Sequence, residues 1–221
     1  MKLLVVTLVL CAGQSWLFGQ GAINFSNRNP APGPDRVVAP IYGPEPNPFI
    51  ELHGNATTNG GYTVYSGALL TGTAFTAQLW AVAANEGPNF LAPISTTVFR
   101  SNPSLPGFIQ PPLNNPVIVP NTPHGDQAIF DLRVWDNRGG TVTSWAMVLA
   151  DPTVPRGTSG NFTTVVYEPP TLAPSLVGLT SFNLHVVPEP SLAALGALGL
   201  LALLLVRQKS SSPSRTDPLH R

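Results

Sequence analysis

Prolines and glycines constrain this chain more than any other feature: there are 25 Pro and 20 Gly in 221 residues. Proline in a helix interior removes a backbone hydrogen bond and collides with the preceding turn, and glycine there raises the entropic cost of ordering. Seven prolines fall between Asn29 and Pro48, and seven more between Ser101 and Pro123. Those two stretches read as extended, polyproline-like coil. Between such breaks lie short runs with the period-two alternation of half-buried strands. Thr73–Val82 (TAFTAQLWAV) puts Phe75, Ala77, Leu79 and Ala81 on one face. From Ala128, Phe130, Leu132 and Val134 alternate with Asp131, Arg133 and Trp135.

Asp136-Asn137-Arg138-Gly139-Gly140 supplies turn residues that tolerate positive φ. The β-branched and aromatic residues from Thr141 to Leu149 then predict a return strand, so Ala128–Leu149 reads as a hairpin. Weaker strands are predicted at Ile23–Ser26, Phe49–Leu52, Tyr62–Tyr65, Thr96–Arg100, Val117–Val119, Gly160–Val166 and Ser181–Val186. Many short strands separated by turn residues predict an all-β body, an antiparallel β-sandwich or jelly roll with Pro/Gly-rich loops. The length suits one domain with a substantial core, or at most two small ones.

Charge narrows the partners. Between Gln20 and Val187 there are nine Asp or Glu, six Arg and no Lys, whereas Arg207, Lys209, Arg215 and Arg221 follow Val206. A mildly acidic body lacks the basic face that nucleic acid requires. At 10% charged and 43% hydrophobic residues, the chain is too apolar to be read as disordered.

Both ends are apolar. Met1-Lys2 leads into Leu3–Ala12 and then small and polar residues, the layout of a secretory signal peptide. Cleavage is compatible with Gly13, Gly19 or Ala22, and residues 1–21 are assigned to the signal. The one cysteine, Cys11, lies inside it. Its lipidation is an alternative that the bulky Leu10 disfavours. The mature chain then has no cysteine with which to form a disulfide or bind metal. At the other end, Ser191–Val206 is an uncharged, leucine-rich run of 16 residues. As a helix it spans about 24 Å, short of the hydrocarbon core unless Arg207 and Lys209 snorkel. A buried core helix is the alternative, but the basic residues that follow at once favour a membrane span with a cytoplasmic C-terminus.

Val187-Pro188-Glu189-Pro190, the apolar segment and the basic residues Arg207 and Lys209 together resemble the PEP-CTERM sorting signal of exported bacterial proteins. The resemblance implies recognition and removal of the tag by exosortase, a membrane-embedded transpeptidase. It also implies delivery to the cell surface or an extracellular polysaccharide (biofilm) matrix. Pro188 and Pro190 keep the segment extended and unpaired, as a protease substrate must be, and Glu189 offers a single charge for recognition. The order of an Ile-Asn-Phe start, a Thr-Ala-Gln-Leu-Trp strand, a Thr-Thr-Val-Phe-Arg strand and a Val-Trp-Asp-Asn turn is similar to other exported proteins carrying this tag. That similarity implies the same fold class and no particular activity. The organisation is therefore read as signal peptide 1–21, extracellular β domain 22–186, sorting segment 187–209 and polar tail 210–221.

No catalytic or metal-binding constellation is expected, and no cofactor. His53, His124, His185 and His220 lack metal-ligand spacing. Ser159 in Gly157-Thr158-Ser159-Gly160 lacks the nucleophile-elbow context. Asp126, Asp131 and Asp136 sit near one predicted hairpin, where carboxylates serve a glycosidase or a loop calcium ion. However, Asp131 and Asp136 are placed on a strand face and in a turn. Trp80 falls on the polar strand face with Thr76 and Gln78, and Trp135 with Asp131 and Arg133. Exposed aromatics beside polar donors form platforms for sugar rings, which makes Trp80 and Trp135 candidate glycan contacts. The alternative is that loops cover that face and bury both indoles. The leading expectation is a non-enzymatic exported surface or matrix protein. A carbohydrate-binding module comes next, and a secreted hydrolase last.

Overall fold

The computed structural model of the chain describes residues 20–54, 63–168 and 170–188. The predicted signal segment up to Gly19, Glu189, Pro190, the apolar run Ser191–Val206, Arg207, Lys209 and the polar tail lie outside the described residues. Among the described residues no helix is long and apolar enough to cross a membrane. The body is a compact unit ending at Val187, and a second unit begins at Pro188.

In chain order the strands are β1 (Gln20–Ile23), β2 (Arg28–Asn29), β3 (Val37–Val38), β4 (Phe75–Ala83), β5 (Ala92–Val98), β6 (Val117–Pro123) and β7 (Gln127–Asp136). A short α-helix, α1 (Trp145–Ala150), precedes β8 (Arg156–Thr158) and β9 (Phe162–Val165). The class is all-β, with every pair of named strands antiparallel. The largest sheet runs β5-β4-β7-β8, with β9 beside β8 on the same edge of β7. β1 pairs with β6, and β2 with β3.

Side-chain alternation explains the central sheet. Across the β4–β7 ladder, Ala77 faces Val134, Leu79 faces Leu132 and Ala81 faces Phe130, and all six are buried. This inner face packs into one core with Ile23, Phe25, Ile41, Phe99, Ile109, Leu176, Phe182 and Leu184. Each such leucine or phenylalanine contributes about 1.5–3 kcal/mol on leaving water. In a body without cysteine, burial of this kind is the main favourable term. The residues between, Thr76, Gln78 and Trp80 on β4 and Asp131 and Arg133 on β7, form the outer face of the sheet.

The predicted strands at Thr73–Val82, Thr96–Arg100, Val117–Val119 and Gly160–Val166 correspond to β4, β5, β6 and β9, and Ile23–Ser26 overlaps β1 at Ile23. Others differ. Phe49–Leu52 is no strand, because Asn47 accepts from the Phe49 amide at 3.2 Å and the Asn47 carbonyl accepts from Ile50 at 3.2 Å, closing a turn. Thr63–Tyr65, the described part of another predicted strand, is irregular. Ser181–Val186 forms only isolated bridges, since its partners change from His53 to Tyr42 to Arg156 within a few residues. There the buried Asn183 side chain stands in for a ladder, donating to Ile50 O at 2.9 Å and accepting from Leu52 N at 2.7 Å.

The predicted hairpin Ala128–Leu149 is corrected most. Its first strand is β7, but Thr141–Leu149 does not return as a strand. Asn137 is buried, donating to Thr73 O at 2.7 Å and accepting from Gly140 N at 3.1 Å. Arg138, Gly139 and Gly140 all take positive φ, and the Val142 amide returns to the Asn137 carbonyl at 3.0 Å. Ser144 then accepts from Met147 N at 3.3 Å as an N-cap, and Ala, Met and Leu carry α1 until Asp151-Pro152. The far edge of β7 is taken instead by β8 and β9. In β8, Gly157 has no room for a side chain: a β-carbon there would strike the Asn183 carbonyl.

Candidate functional site

The outer face of the central sheet carries a row of polar residues. Thr96 on β5 pairs with Gln78 on β4, Gln78 with Arg133 on β7, and Arg133 with Thr158 on β8. One step along, Trp80 lies opposite Pro93 and Asp131. Gln78 holds the indole of Trp80, accepting from its Nε1 at 2.9 Å, and donates through Nε2 to Thr96 Oγ1 at 3.0 Å. Arg133 donates from Nε to Asp131 Oδ2 at 2.7 Å, a pair whose side chains are only 18% and 7% exposed. The Arg133 guanidinium carbon stands 3.9 Å from the Trp80 ring centroid and 5.3 Å from that of Trp145. Such a cation over two indole faces is attracted by both ring quadrupoles.

Trp145 reaches this face from the first turn of α1. Together with Gln78, Trp80, Pro93, Arg133, Ser144, Ala146 and Leu149 it lines an open, mostly apolar cleft of about 450 Å³. Pro93, Ala146 and Leu149 are exposed at its rim.

Trp135 requires a correction. Alternation places it on the outer face as expected, but it is fully buried. Val142, Val148 and Val154 close over it, its Nε1 donates to Val142 O at 2.9 Å, and the Trp145 ring lies 5.9 Å away. The segment expected to return as a strand folds across Trp135 as α1, so this indole cannot touch a glycan. Trp145 lies in the cleft beside Trp80 instead. Its signal in the sequence was the Ser144 cap before a run of good helix formers, which turns Trp145 back towards the sheet.

The carboxylates do not converge. Asp131 is held by Arg133, and its Oδ1 is 3.4 Å from Ser159 Oγ. Asp136, five positions along β7, is about 16 Å away at strand rise, beyond the separation of a glycosidase pair. Asp126 is exposed and lines a separate, polar pocket with Asn85, Asn121 and Gln127. Two histidines distant in sequence do come together. His53 Nε2 lies 2.9 Å from Glu51 Oε1, and His185 Nε2 lies 3.9 Å from Glu51 Oε2. Strand bridges bring them there, His53 beside Phe182 and His185 beside Arg156, a long-range pairing that local spacing does not reveal. Among the described residues no group of three His, Cys, Asp or Glu is arranged to hold a metal ion. His124 accepts from the Glu168 amide through Nδ1 at 2.9 Å. Of the predicted sorting motif, Pro188 is described and is exposed.

Comparison of the chain with models of protein families, with curated proteins and with solved structures gives no significant match.

Proposed function

We propose that this chain is a non-enzymatic exported protein of the cell surface or extracellular polysaccharide matrix, delivered by a PEP-CTERM-type segment that exosortase removes. The body is the delivered cargo, with the antiparallel architecture of a sandwich or jelly roll. Supporting the reading is the position at which the fold stops. His185 exchanges backbone hydrogen bonds with Arg156 at 2.8 and 2.9 Å, and Val186 donates to Pro48 O at 2.7 Å. The packed unit ends one residue later, immediately before the motif, with Pro188 exposed. A cutting enzyme would find Pro188, the first residue of the motif, without opening the body. Asp131 is committed to Arg133 and widely separated from Asp136, so these two carboxylates do not form the glycosidase pair that the hydrolase alternative would use.

Mass spectrometry of the protein from its own cells, read at both ends, tests this. The expected mature chain begins near Gln20 and ends between Pro188 and Pro190, outside the membrane fraction. A chain still ending at Arg221 in the membrane fraction overturns removal of the tag and makes the segment an anchor.

A further inference from the structure

The cleft between Trp80 and Trp145 has the chemistry of a sugar site. A pyranose ring presents an apolar face of C–H groups and an equatorial rim of hydroxyls. It therefore binds where an indole faces the ring and planar donors meet the rim. Two indoles from different elements meet here around one guanidinium. The orientation of Trp80 is fixed by Gln78, and Gln78 by Thr96, so the platform is held before any ligand arrives, which lowers the cost of binding. Arg133 commits Nε to Asp131, and its two terminal nitrogens have no partner among the described residues. A planar guanidinium offers paired N–H groups matched in spacing to neighbouring oxygens. The Ser144 hydroxyl accepts from Met147 N and keeps its own proton to donate. The volume, about 450 Å³, lies within the small-ligand range of ~300–1,000 Å³.

Charge decides which sugar. Among the described residues Arg133 is the one charged residue lining the cleft, and Asp131 balances it at 2.7 Å. A site neutral overall gains little from an anionic ligand and keeps its hydrogen-bonding capacity for hydroxyls. We propose that the Trp80–Arg133–Trp145 cleft binds a neutral pyranose unit of a polysaccharide. The cleft is open at the exposed residues Pro93, Ala146 and Leu149, which leaves room for the rest of the glycan chain. The inference goes beyond the sorting reading and stands without it, because sorting is read at the termini and binding at the cleft.

Native affinity electrophoresis of the full chain in mild detergent tests it, using gels containing a neutral β-glucan, a galactomannan, a xylan or the polyuronate alginate. At least one neutral polysaccharide is expected to retard the chain, equally with and without ~0.5 M sodium chloride, since a neutral contact is not screened. Trp80→Ala and Trp145→Ala are each expected to weaken retention about tenfold or more, as loss of a central aromatic anchor does. Ala146→Trp, at an exposed rim position away from the core, fills the cleft and is expected to abolish retention with an unchanged thermal midpoint. Leu172→Ala, exposed and outside the cleft lining, is expected to bind normally. If either tryptophan variant fails to fold, Ala146→Trp decides. Three results would overturn the proposal: no retardation by any neutral glycan, retardation by alginate alone that salt removes, or a folded Ala146→Trp that binds like the parent chain.

Discussion

Tyr65 joins three parts of the chain through one side chain. Its ring stacks flat on Tyr42 at 4.2 Å between centroids, and its hydroxyl lies 2.8 Å from both Gly54 O and Ser181 O. One proton serves two carbonyls, so the bond is shared. Burial, then the neighbouring Tyr42, pushes the Tyr65 hydroxyl up to about 12 from 10.0, with Glu45 adding a little and the Thr63 hydrogen bond opposing. The folded value lies above the unfolded one, so this stabilisation is complete below about pH 10 and is lost as pH rises towards 12. Tyr65→Phe should cost about 1–2 kcal/mol at neutral pH, read from the midpoint of urea unfolding. The variant should also lose less stability than the parent between pH 10 and 12. An equal alkaline loss in both would rule out this assignment. At this scale the sequence was legible in part. Trp80 lies on the outer face as alternation predicts, and Trp135 does too. Alternation gives the face of a sheet, but whether a face is covered depends on chain from elsewhere, and here it is α1.

Among elements, β4 and β7 were readable because each is long and each has one buried and one outer face. The short strands β2, β3 and β8 were not, since two or three residues carry no period and their pairing comes from distant partners. α1 was misread for a different reason: β-branched and aromatic residues before and within it outweighed the cap. Ser144→Ala removes the bond to Met147 N and should destabilise the body by about 1 kcal/mol. Hydrogen exchange should localise that loss to 145–150 and to the amides beside Trp135, leaving β4 protected. A loss spread evenly over the central sheet would contradict the view that α1 is a separately capped cover.

In the whole molecule, the end of the body is tied down by contacts between residues far apart in sequence, and it carries a titrating group. His185 is largely buried, and its Nδ1 has no hydrogen-bond partner among the described residues. Burial lowers its affinity for a proton below the ordinary value of 6.5, Glu51 partly opposes this, and Arg156 and His53 reinforce it. The folded state therefore prefers the neutral ring. That contribution is complete above pH 6.5 and is lost as pH falls through the lower folded value. Thermal unfolding followed from pH 7.5 to 5 should show the midpoint falling in the parent chain and falling less in His185→Phe. Parallel curves would exclude His185 as the source. The convergence of His53 and His185 on Glu51 could not be read from sequence, because it is made by bridges between segments from opposite ends of the body. The proposed sorting segment rests on the sequence alone, as a local, ordered pattern that does not depend on the fold.

The two settings of the indoles have an optical consequence. Trp135 sits in a dry enclosure with its nitrogen bonded to a backbone carbonyl, whereas Trp80 and Trp145 border an open cleft. The emission of the body should therefore contain a blue component that reports whether α1 still covers the sheet, and a redder one from the indoles bordering the cleft, which would shift if the proposed ligand enters. Unfolding and ligand occupancy can be followed in one cuvette, with no label attached.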